Sequence, residues 1–160
     1  MKNFIKNRKG FTLVELVVVI AIIGILAGMA IPRFLDATAS ARGAKVVVDM
    51  RTIQSAEVIY YAKYAKYPTD TSSNTGGDTN FTALVQGGWP VPPSGTFTIS
   101  QTLAGNNAVT EGKGATGYTY TAAATTGDPG TLTLTGGDQD GKTLTELLCL
   151  LYTSPSPRDA

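Results

Sequence analysis

One carboxylate, Glu15, lies in a stretch that carries no other charge from Phe11 to Ile31. An acid near the middle of a membrane span costs about 2.5 to 3.5 kcal/mol, and less toward an end, so such a residue usually has a function. Pairing with a cation offsets that cost, because an unpaired charge is penalised in a medium of low dielectric constant. Glu15 therefore has the clearest chemistry in this sequence, and that chemistry is charge pairing.

The rest of the composition offers little to an enzyme. The chain has no histidine, so the commonest general base and metal ligand is missing, and no serine or threonine has an evident base partner. The sequence also has no phosphate-binding loop. We expect no catalytic residue, no metal site and no cofactor, and we expect that the protein is not an enzyme.

The apolar stretch itself predicts a membrane-spanning helix. At about 1.5 Å per residue, the helix from Phe11 to Ile31 would be roughly 31 Å long, which is close to the hydrocarbon thickness of a bilayer. The basic residues before it would stay in the cytoplasm and place everything after Arg33 on the far side. These residues are Lys2, Lys6, Arg8 and Lys9. We expect a single-pass protein of the cytoplasmic membrane with its N-terminus inside.

Beyond Pro32 the pattern predicts an amphipathic helix over residues 33–67, which ends at Tyr67-Pro68. Its apolar residues recur at spacings of three, four or seven and form one stripe, while Asp49, Arg51 and Lys63 fall between them. The stripe consists of Val46, Met50, Ile53, Tyr60 and Tyr64, flanked by Val47 and Ala56.

Residues 68–148 predict a loop followed by a small antiparallel sheet. The loop over residues 68–94 has one short helix at Phe81 to Val85, opened by Asp78 or Asn80. Three later runs alternate with period two: 96–100 with Phe97 and Ile99, 118–121 with Tyr118 and Tyr120, and 131–135 with Leu132 and Leu134. The predicted fold is α+β, with one face of the sheet packed on the second half of a long N-terminal helix.

The run Lys9-Gly10-Phe11-Thr12-Leu13-Val14-Glu15, the apolar segment after it and Pro32 together resemble the N-terminus of type IV prepilins and of the related type II secretion pseudopilins. The resemblance covers residues 1 to about 68, and it is only architectural beyond them. A type IV pilin is favoured over a pseudopilin, because the calcium-loop pattern expected of the major pseudopilin has no clear counterpart here.

The resemblance implies a series of roles. Residues 1–10 would be a leader that prepilin peptidase removes by cutting between Gly10 and Phe11, and the same enzyme would methylate the new amine of Phe11. Residues 11–32 would serve first as the membrane span and then as the filament core. Glu15 would pair with the amine of Phe11 in a neighbouring subunit. The helix would be flexible near Gly24, Gly28 and Pro32.

The implied function is that of a structural subunit of a type IV pilus-like filament. Its partners would be further copies of itself, prepilin peptidase, the membrane before assembly, and an assembly platform with its motor. It would end in a cell-surface filament serving adhesion, motility, DNA uptake or secretion. Two alternatives are a type II secretion pseudopilin and a membrane-anchored binding module that never polymerises.

Four further patterns admit more than one interpretation. Tyr60, Tyr61, Tyr64 and Tyr67 could form an electron-hopping strip, but core packing is favoured. Residues 138–141, Asp-Gln-Asp-Gly, resemble part of a calcium loop, but a turn is favoured. Basic residues between Arg33 and Lys66, interleaved with Asp36, Asp49 and Glu57, favour a solvated polar face with salt bridges between subunits, and nucleic acid is not expected as a partner. Residues 149–160, CLLYTSPSPRDA, resemble a translated sequencing adapter and are expected to be an artefact.

Overall fold

A computed structural model describes residues 10–73, 76–103, 106–125 and 127–148, and it describes no side-chain burial for 101–108. The predicted leader, apart from Gly10, and the predicted artefact at 149–160 lie outside the described residues. The chain forms two compact units, Met1–Asp36 and Ala37–Ala160.

Helix α1 runs from Leu13 to Tyr64 and continues through Pro32. It ends three residues before the predicted Tyr67, because Ala65 has a positive φ of 53° and turns the chain out of the helix. The Ala65 N–H still reaches the carbonyl of Tyr61 at 2.8 Å, which is the bond of a left-handed C-terminal cap. The Tyr67-Pro68 pair therefore marks the loop after the helix.

The single predicted sheet is wrong, because the strands form two sheets. One contains β1 (Ser72–Ser73), β4 (Gly117–Thr121) and β5 (Thr131–Thr135) in the order β1-β4-β5. The other pairs β2 (Thr96–Leu103) with β3 (Asn106–Lys113). Both are antiparallel, and register pairs such as Tyr118 with Leu134 and Phe97 with Gly112 align the strands. The three predicted strands are present, and β1 and β3 were missed.

Two short helices flank these strands. Helix α2 (Thr79–Thr82) starts earlier than the predicted Phe81, and Asp78 is its N-cap, accepting from the N–H groups of Asn80 and Phe81 at 2.8 and 3.3 Å. Helix α3 (Leu144–Leu147) was not predicted.

The core of the second unit lies between α1 and the strands. Of the predicted core residues, Val46, Met50, Ile53, Tyr60, Phe97, Ile99, Tyr118, Tyr120, Leu132 and Leu134 are buried. Ala56, Phe81, Val85, Leu144, Leu147 and Leu148 complete it. The prediction for Tyr64 is wrong: it is 36% exposed, because it is the last residue of α1 and its ring packs on Tyr60 with centroids 4.6 Å apart.

Three tyrosine hydroxyls of this unit donate to carboxylates. Tyr118 donates to Asp49 at 3.0 Å, Tyr120 to Glu57 at 2.9 Å, and Tyr60 to Asp78 at 2.9 Å. Burial of the hydroxyl is the larger cause of a raised pKa here, and the neighbouring carboxylate is the smaller one. Together they raise the pKa of Tyr60 to about 12, and they also raise the pKa of Tyr118 and of Tyr120. Asp49 and Glu57 were predicted on a solvated face of the helix; that is wrong, because both reach inward to the strand tyrosines.

Candidate assembly site

The N-terminus of α1 is closed by a reciprocal pair of side chains, Thr12 and Glu15. The Thr12 hydroxyl oxygen accepts from the N–H of Glu15 at 3.2 Å. In return, Glu15 Oε2 accepts from the N–H of Thr12 at 2.9 Å and from its hydroxyl at 2.8 Å. This is a capping box, which satisfies backbone donors that the first turn of a helix leaves without partners. The carboxylate is thus bound within its own chain.

Only one of the two carboxylate oxygens is used in this cap. Glu15 Oε2 accepts both bonds, and Oε1 has no partner among residues 10–73 or the other described segments. Phe11, immediately before the cap, is 87% exposed. The start of the helix therefore presents an accessible carboxylate oxygen and an accessible residue at the predicted new terminus.

This role of Thr12 was not predicted, although the sequence contains a signal for it. A threonine followed three residues later by glutamate and then by an apolar run is the sequence pattern of a capping box. Thr143 and Glu146 form a second capping box at α3, where Glu146 Oε2 accepts from the Thr143 N–H at 2.8 Å.

The apolar side chains that follow Glu15 are exposed along the whole predicted span. Leu16 and Ile25, for example, are 60% and 67% exposed, and the most apolar window of α1 is not buried within the chain at all. By length and composition α1 can cross a membrane. A core helix of a soluble protein would be buried, so that explanation does not fit this segment, whereas a signal sequence would pass the same test.

Three residues were predicted to make this helix flexible. Gly24, Gly28 and Pro32 all lie inside α1 and are helical in this structure. A Cβ atom placed on Gly10, Gly24 or Gly28 would meet nothing within 4 Å. The fold of the chain itself therefore does not require glycine at these positions. Local unwinding in a filament stays a prediction.

The second half of α1 carries an apolar stripe on its outer side as well. Residues at alternating spacings of four and three are all exposed, and the only charge among them is Arg51. Val48 and Val58 are 60% and 66% exposed. This outer stripe consists of Ala37, Ala41, Ala44, Val48, Arg51, Ser55, Val58 and Ala62. The predicted polar outer face is wrong, because Asp49 and Glu57 turn toward the strands.

The tyrosine cluster at the end of α1 divides into two ring pairs. Tyr60 is in the core and packs on Tyr64, as described above. Tyr61 is 46% exposed and stacks on Tyr67 with ring centroids 4.6 Å apart. The prediction of core packing is thus confirmed for Tyr60. It is wrong for Tyr61 and Tyr64, which are exposed near the end of the helix.

The interpretation of residues 138–141 as a turn is confirmed. Gly137–Gln139 form a 3-10 turn, and Asp140 Oδ1 accepts from the N–H of Gly136 at 2.6 Å. Gly141 has a φ of 74° and donates to the carbonyl of Leu134 at 2.8 Å, which reverses the chain after β5.

Among the basic residues of the helix, Lys45 pairs with Asp49 in the same chain, and Arg42 donates to the carbonyl of Thr96 at 3.4 Å. Salt bridges to another subunit stay a prediction.

Comparison with known proteins bears on the N-terminal segment. Residues 5–31 match the family model of the prokaryotic N-terminal methylation motif. The type IV major pilin protein PilE1 of Neisseria gonorrhoeae is 42% identical over 66 residues, which are 41% of this chain and 40% of that pilin. The type IV narrow pilus major component PilA5 of Thermus thermophilus is 44% identical over 63 residues, or 39% of this chain and 54% of that protein. A fimbrial protein of Pseudomonas aeruginosa is 47% identical over 51 residues, or 32% and 33% of the two chains.

The matched stretch spans about two fifths of the length of the gonococcal pilin. Within that stretch the predicted resemblance is confirmed: the chain carries the N-terminal motif of the type IV prepilin family, and its similarity is to type IV major pilins.

Proposed function

We propose that this chain is the structural subunit of a type IV pilus-like filament. It is held in the cytoplasmic membrane by its apolar helix, freed of residues 1–10 by a prepilin peptidase, methylated at Phe11, and assembled into a surface fibre. One observation carries the proposal: a carboxylate with an unused oxygen lies at the start of a helix whose first, apolar part is exposed from Leu13 to Ile31. The apolar surface is unfavourable in water, and the carboxylate is unfavourable in an apolar interior unless it is paired, so self-association that brings the acid to an amine satisfies both.

The apolar surface supplies the driving force. Each square ångström of apolar surface left in water costs about 25 cal/mol. A bilayer removes that cost for a single subunit, and a bundle of the same helices removes it for many. The exposed span from Leu13 to Ile31 therefore favours burial against further copies once the helix leaves the lipid.

Charge pairing sets the axial position. After cleavage, Phe11 carries a cationic amine beside the helix N-terminus, and methylation keeps its charge. The unused Oε1 of Glu15 accepts from the amine of a neighbouring subunit, while Oε2 keeps its bonds to Thr12. An unpaired carboxylate is penalised in the apolar filament interior, so a subunit stops where amine and acid meet.

Close helix contact explains the remaining features. Gly24 and Gly28 form a G-x-x-x-G pattern and have open space around them, as helices that approach one another closely require. The outer stripe on the second half of α1 extends the apolar surface beyond the span. We assign both surfaces to contacts with neighbouring copies.

The test is expression of the full chain in a bacterium that assembles type IV pili but lacks its own major pilin. We expect shed fibres whose subunits begin at N-methylated Phe11, as read by mass spectrometry. Glu15→Gln should abolish the fibres while processing continues. Glu146→Gln, which alters the matching capping box in α3, is the control and should leave fibres intact. Fibres made of uncleaved subunits, or made equally well by Glu15→Gln, would overturn the proposal.

The relatives described above are named as pilins and fimbrial proteins, and no observation favours the secretion pseudopilin or the non-polymerising module. We infer further that the chain acts by self-association rather than by catalysis.

A further inference from the structure

Tyr61 and Tyr67 form an accessible stacked pair at the end of α1. Their ring centroids are 4.6 Å apart and the planes are inclined by only 29°. Tyr61 is 46% exposed and Tyr67 is half-buried. The left-handed residue Ala65 turns the chain back, so that Tyr67 returns to the helix, and the buried Pro68 holds the segment after it. The stacking is thus fixed by the backbone on both sides.

We propose that this pair is a site of oxidative cross-linking, where the two phenols join through a dityrosine bond. The oxidant is hydrogen peroxide, used by a haem peroxidase. Each phenol gives up one electron and one proton, and the two radicals couple through one ring carbon ortho to each hydroxyl. The ortho hydrogens then move to the phenolic oxygens, which restores both rings. In total, two phenols and one peroxide yield one dityrosine and two waters.

The geometry favours coupling within this pair. In a stacked pair at this distance, a small lateral slide brings an ortho carbon of each ring into contact, so the radicals need not diffuse together. Neither hydroxyl donates to an acceptor among the residues that the structure describes. The phenols are therefore available to an external oxidant.

The other tyrosines that the structure describes in the second unit differ in exposure, ring geometry or hydrogen bonding. Tyr60 and Tyr64 also lie 4.6 Å apart, but their planes are inclined by 47° and Tyr60 is only 4% exposed. The Tyr60 hydroxyl is held by Asp78. Tyr118 and Tyr120 are buried, with their hydroxyls held by Asp49 and Glu57. Access and hydrogen bonding thus distinguish the Tyr61–Tyr67 pair.

The bond would close a short loop across the left-handed turn. Closing a loop stabilises a fold by limiting the unfolded chain, and the gain is smallest for short loops. The cross-link would therefore act as a local staple at the helix end, with a small rise in melting temperature. The cross-link involves residues of the second unit alone, so the proposal does not require that the chain form a filament.

The experiment treats the full chain in detergent micelles with hydrogen peroxide and a haem peroxidase. We expect dityrosine fluorescence in monomeric protein, and a loss of two hydrogen atoms that peptide mapping assigns to Tyr61 and Tyr67. Tyr61→Phe and Tyr67→Phe should each abolish the signal, whereas Tyr64→Phe should keep it. All three variants retain their rings, and unchanged melting curves would establish that they are folded.

Three outcomes would overturn the proposal. The first is the absence of dityrosine in the wild-type monomer. The second is an equal yield in Tyr67→Phe. The third is cross-linking mainly between chains or at other tyrosines, which would mean that exposure alone governs the reaction.

Discussion

The Tyr118 hydroxyl lies 3.0 Å from Asp49 Oδ2 and joins strand β4 to the inner face of helix α1 across 69 positions of sequence. The same carboxylate oxygen also pairs with Lys45. Asp49 thus links the buried strand β4 to Lys45 on the helix surface. This role explains why a carboxylate lies in the second half of α1.

Replacing the tyrosine tests how much this bond contributes. Tyr118→Phe removes the donor and leaves Asp49 with fewer partners, so we expect the free energy of unfolding to fall by about 1.5 to 3 kcal/mol. Urea unfolding of the full chain in detergent micelles measures it. Tyr61→Phe is the control, because that ring is exposed, and it should change the value by less than about 0.5 kcal/mol. Equal effects of the two variants would contradict the assigned bond.

The same tyrosines predict a loss of stability at alkaline pH. In the folded chain the pKa of Tyr60 is raised to about 12, whereas an unfolded tyrosine ionises near about 10. Above that pH the unfolded chain releases protons that the folded chain retains, so stability falls by roughly 1.4 kcal/mol per pH unit for each such tyrosine. Below it, both states keep these protons and the tyrosines add no pH dependence.

Urea unfolding between about pH 9 and 11 measures this slope, because the range brackets the ionisation of a free tyrosine. The slope should be reduced in Tyr118→Phe, which removes one of the raised groups. A stability that stays level over this range would contradict the burial of these hydroxyls.

Gly43 is the glycine of α1 that the fold itself requires. A Cβ placed on it would lie 2.0 Å from the carbonyl oxygen of Thr98, because the helix backbone lies directly on strand β2. We expect Gly43→Ala to lower the free energy of unfolding by about 1 to 3 kcal/mol, since an overpacked contact forces the backbones apart. Gly24→Ala is the matched control, with open space at its Cβ. Gly24→Ala should leave the second unit as stable as it is in the wild type.

The outer stripe predicts variants that fold but do not assemble. Val58 is 66% exposed and points away from the core, so Val58→Asp should leave the melting temperature unchanged. In a pilus-forming host it should reduce the yield of fibres at least tenfold, because a charge would be buried between subunits. Gln54→Asp, at an exposed position beside the stripe, is the control. Normal fibres from Val58→Asp would exclude the stripe from the subunit contact.

Thr12 predicts a contrast between two conservative changes. Thr12→Ser keeps the hydroxyl and should preserve assembly. Thr12→Val keeps the shape but removes the cap, which costs about 1 kcal/mol of helix stability and leaves Glu15 Oε2 short of a donor. We expect fewer fibres from Thr12→Val, counted by electron microscopy at matched subunit levels. Equal counts from the two variants would mean that the capping box has no part in assembly.

Helix α1 and the buried apolar stripe along it were predictable, because the spacing of apolar residues that defines them is a local property of the sequence. Val46, Met50 and Ile53 repeat at helical spacing, and their burial requires only that something cover that face. Strands β4 and β5 were predictable for the same reason, since tyrosine and leucine alternate with threonine along them.

The missed features depend on distant residues or on turns. Strand β3 reads Asn-Asn-Ala-Val-Thr-Glu-Gly-Lys and has no apolar alternation, so only its pairing with β2 defines it. The inward direction of Asp49 and Glu57 is set by tyrosines on β4. The early end of α1 follows from Ala65, a residue with no intrinsic preference for the left-handed conformation that it adopts. The exposure of Tyr64 follows from that same early end.

The cleavage, methylation and assembly roles of the candidate site stay predictions, and its local geometry was not predicted. Gly10, Phe11 and Glu15 stood out by motif and by charge. The bonds between Thr12 and Glu15 were missed, although a threonine three residues before a glutamate is the pattern of a capping box, because the sequence does not fix where the helix begins.

The spare oxygen of Glu15 bears on how fast and how reversibly a fibre could grow. In the proposed filament, an incoming subunit would have no internal bond to break, since its cap uses the other oxygen. The kinetic barrier to addition then lacks a bond-exchange step. In the proposed filament, a subunit that dissociated would keep both hydrogen bonds from Thr12 to its carboxylate, so the acid would not be left without donors.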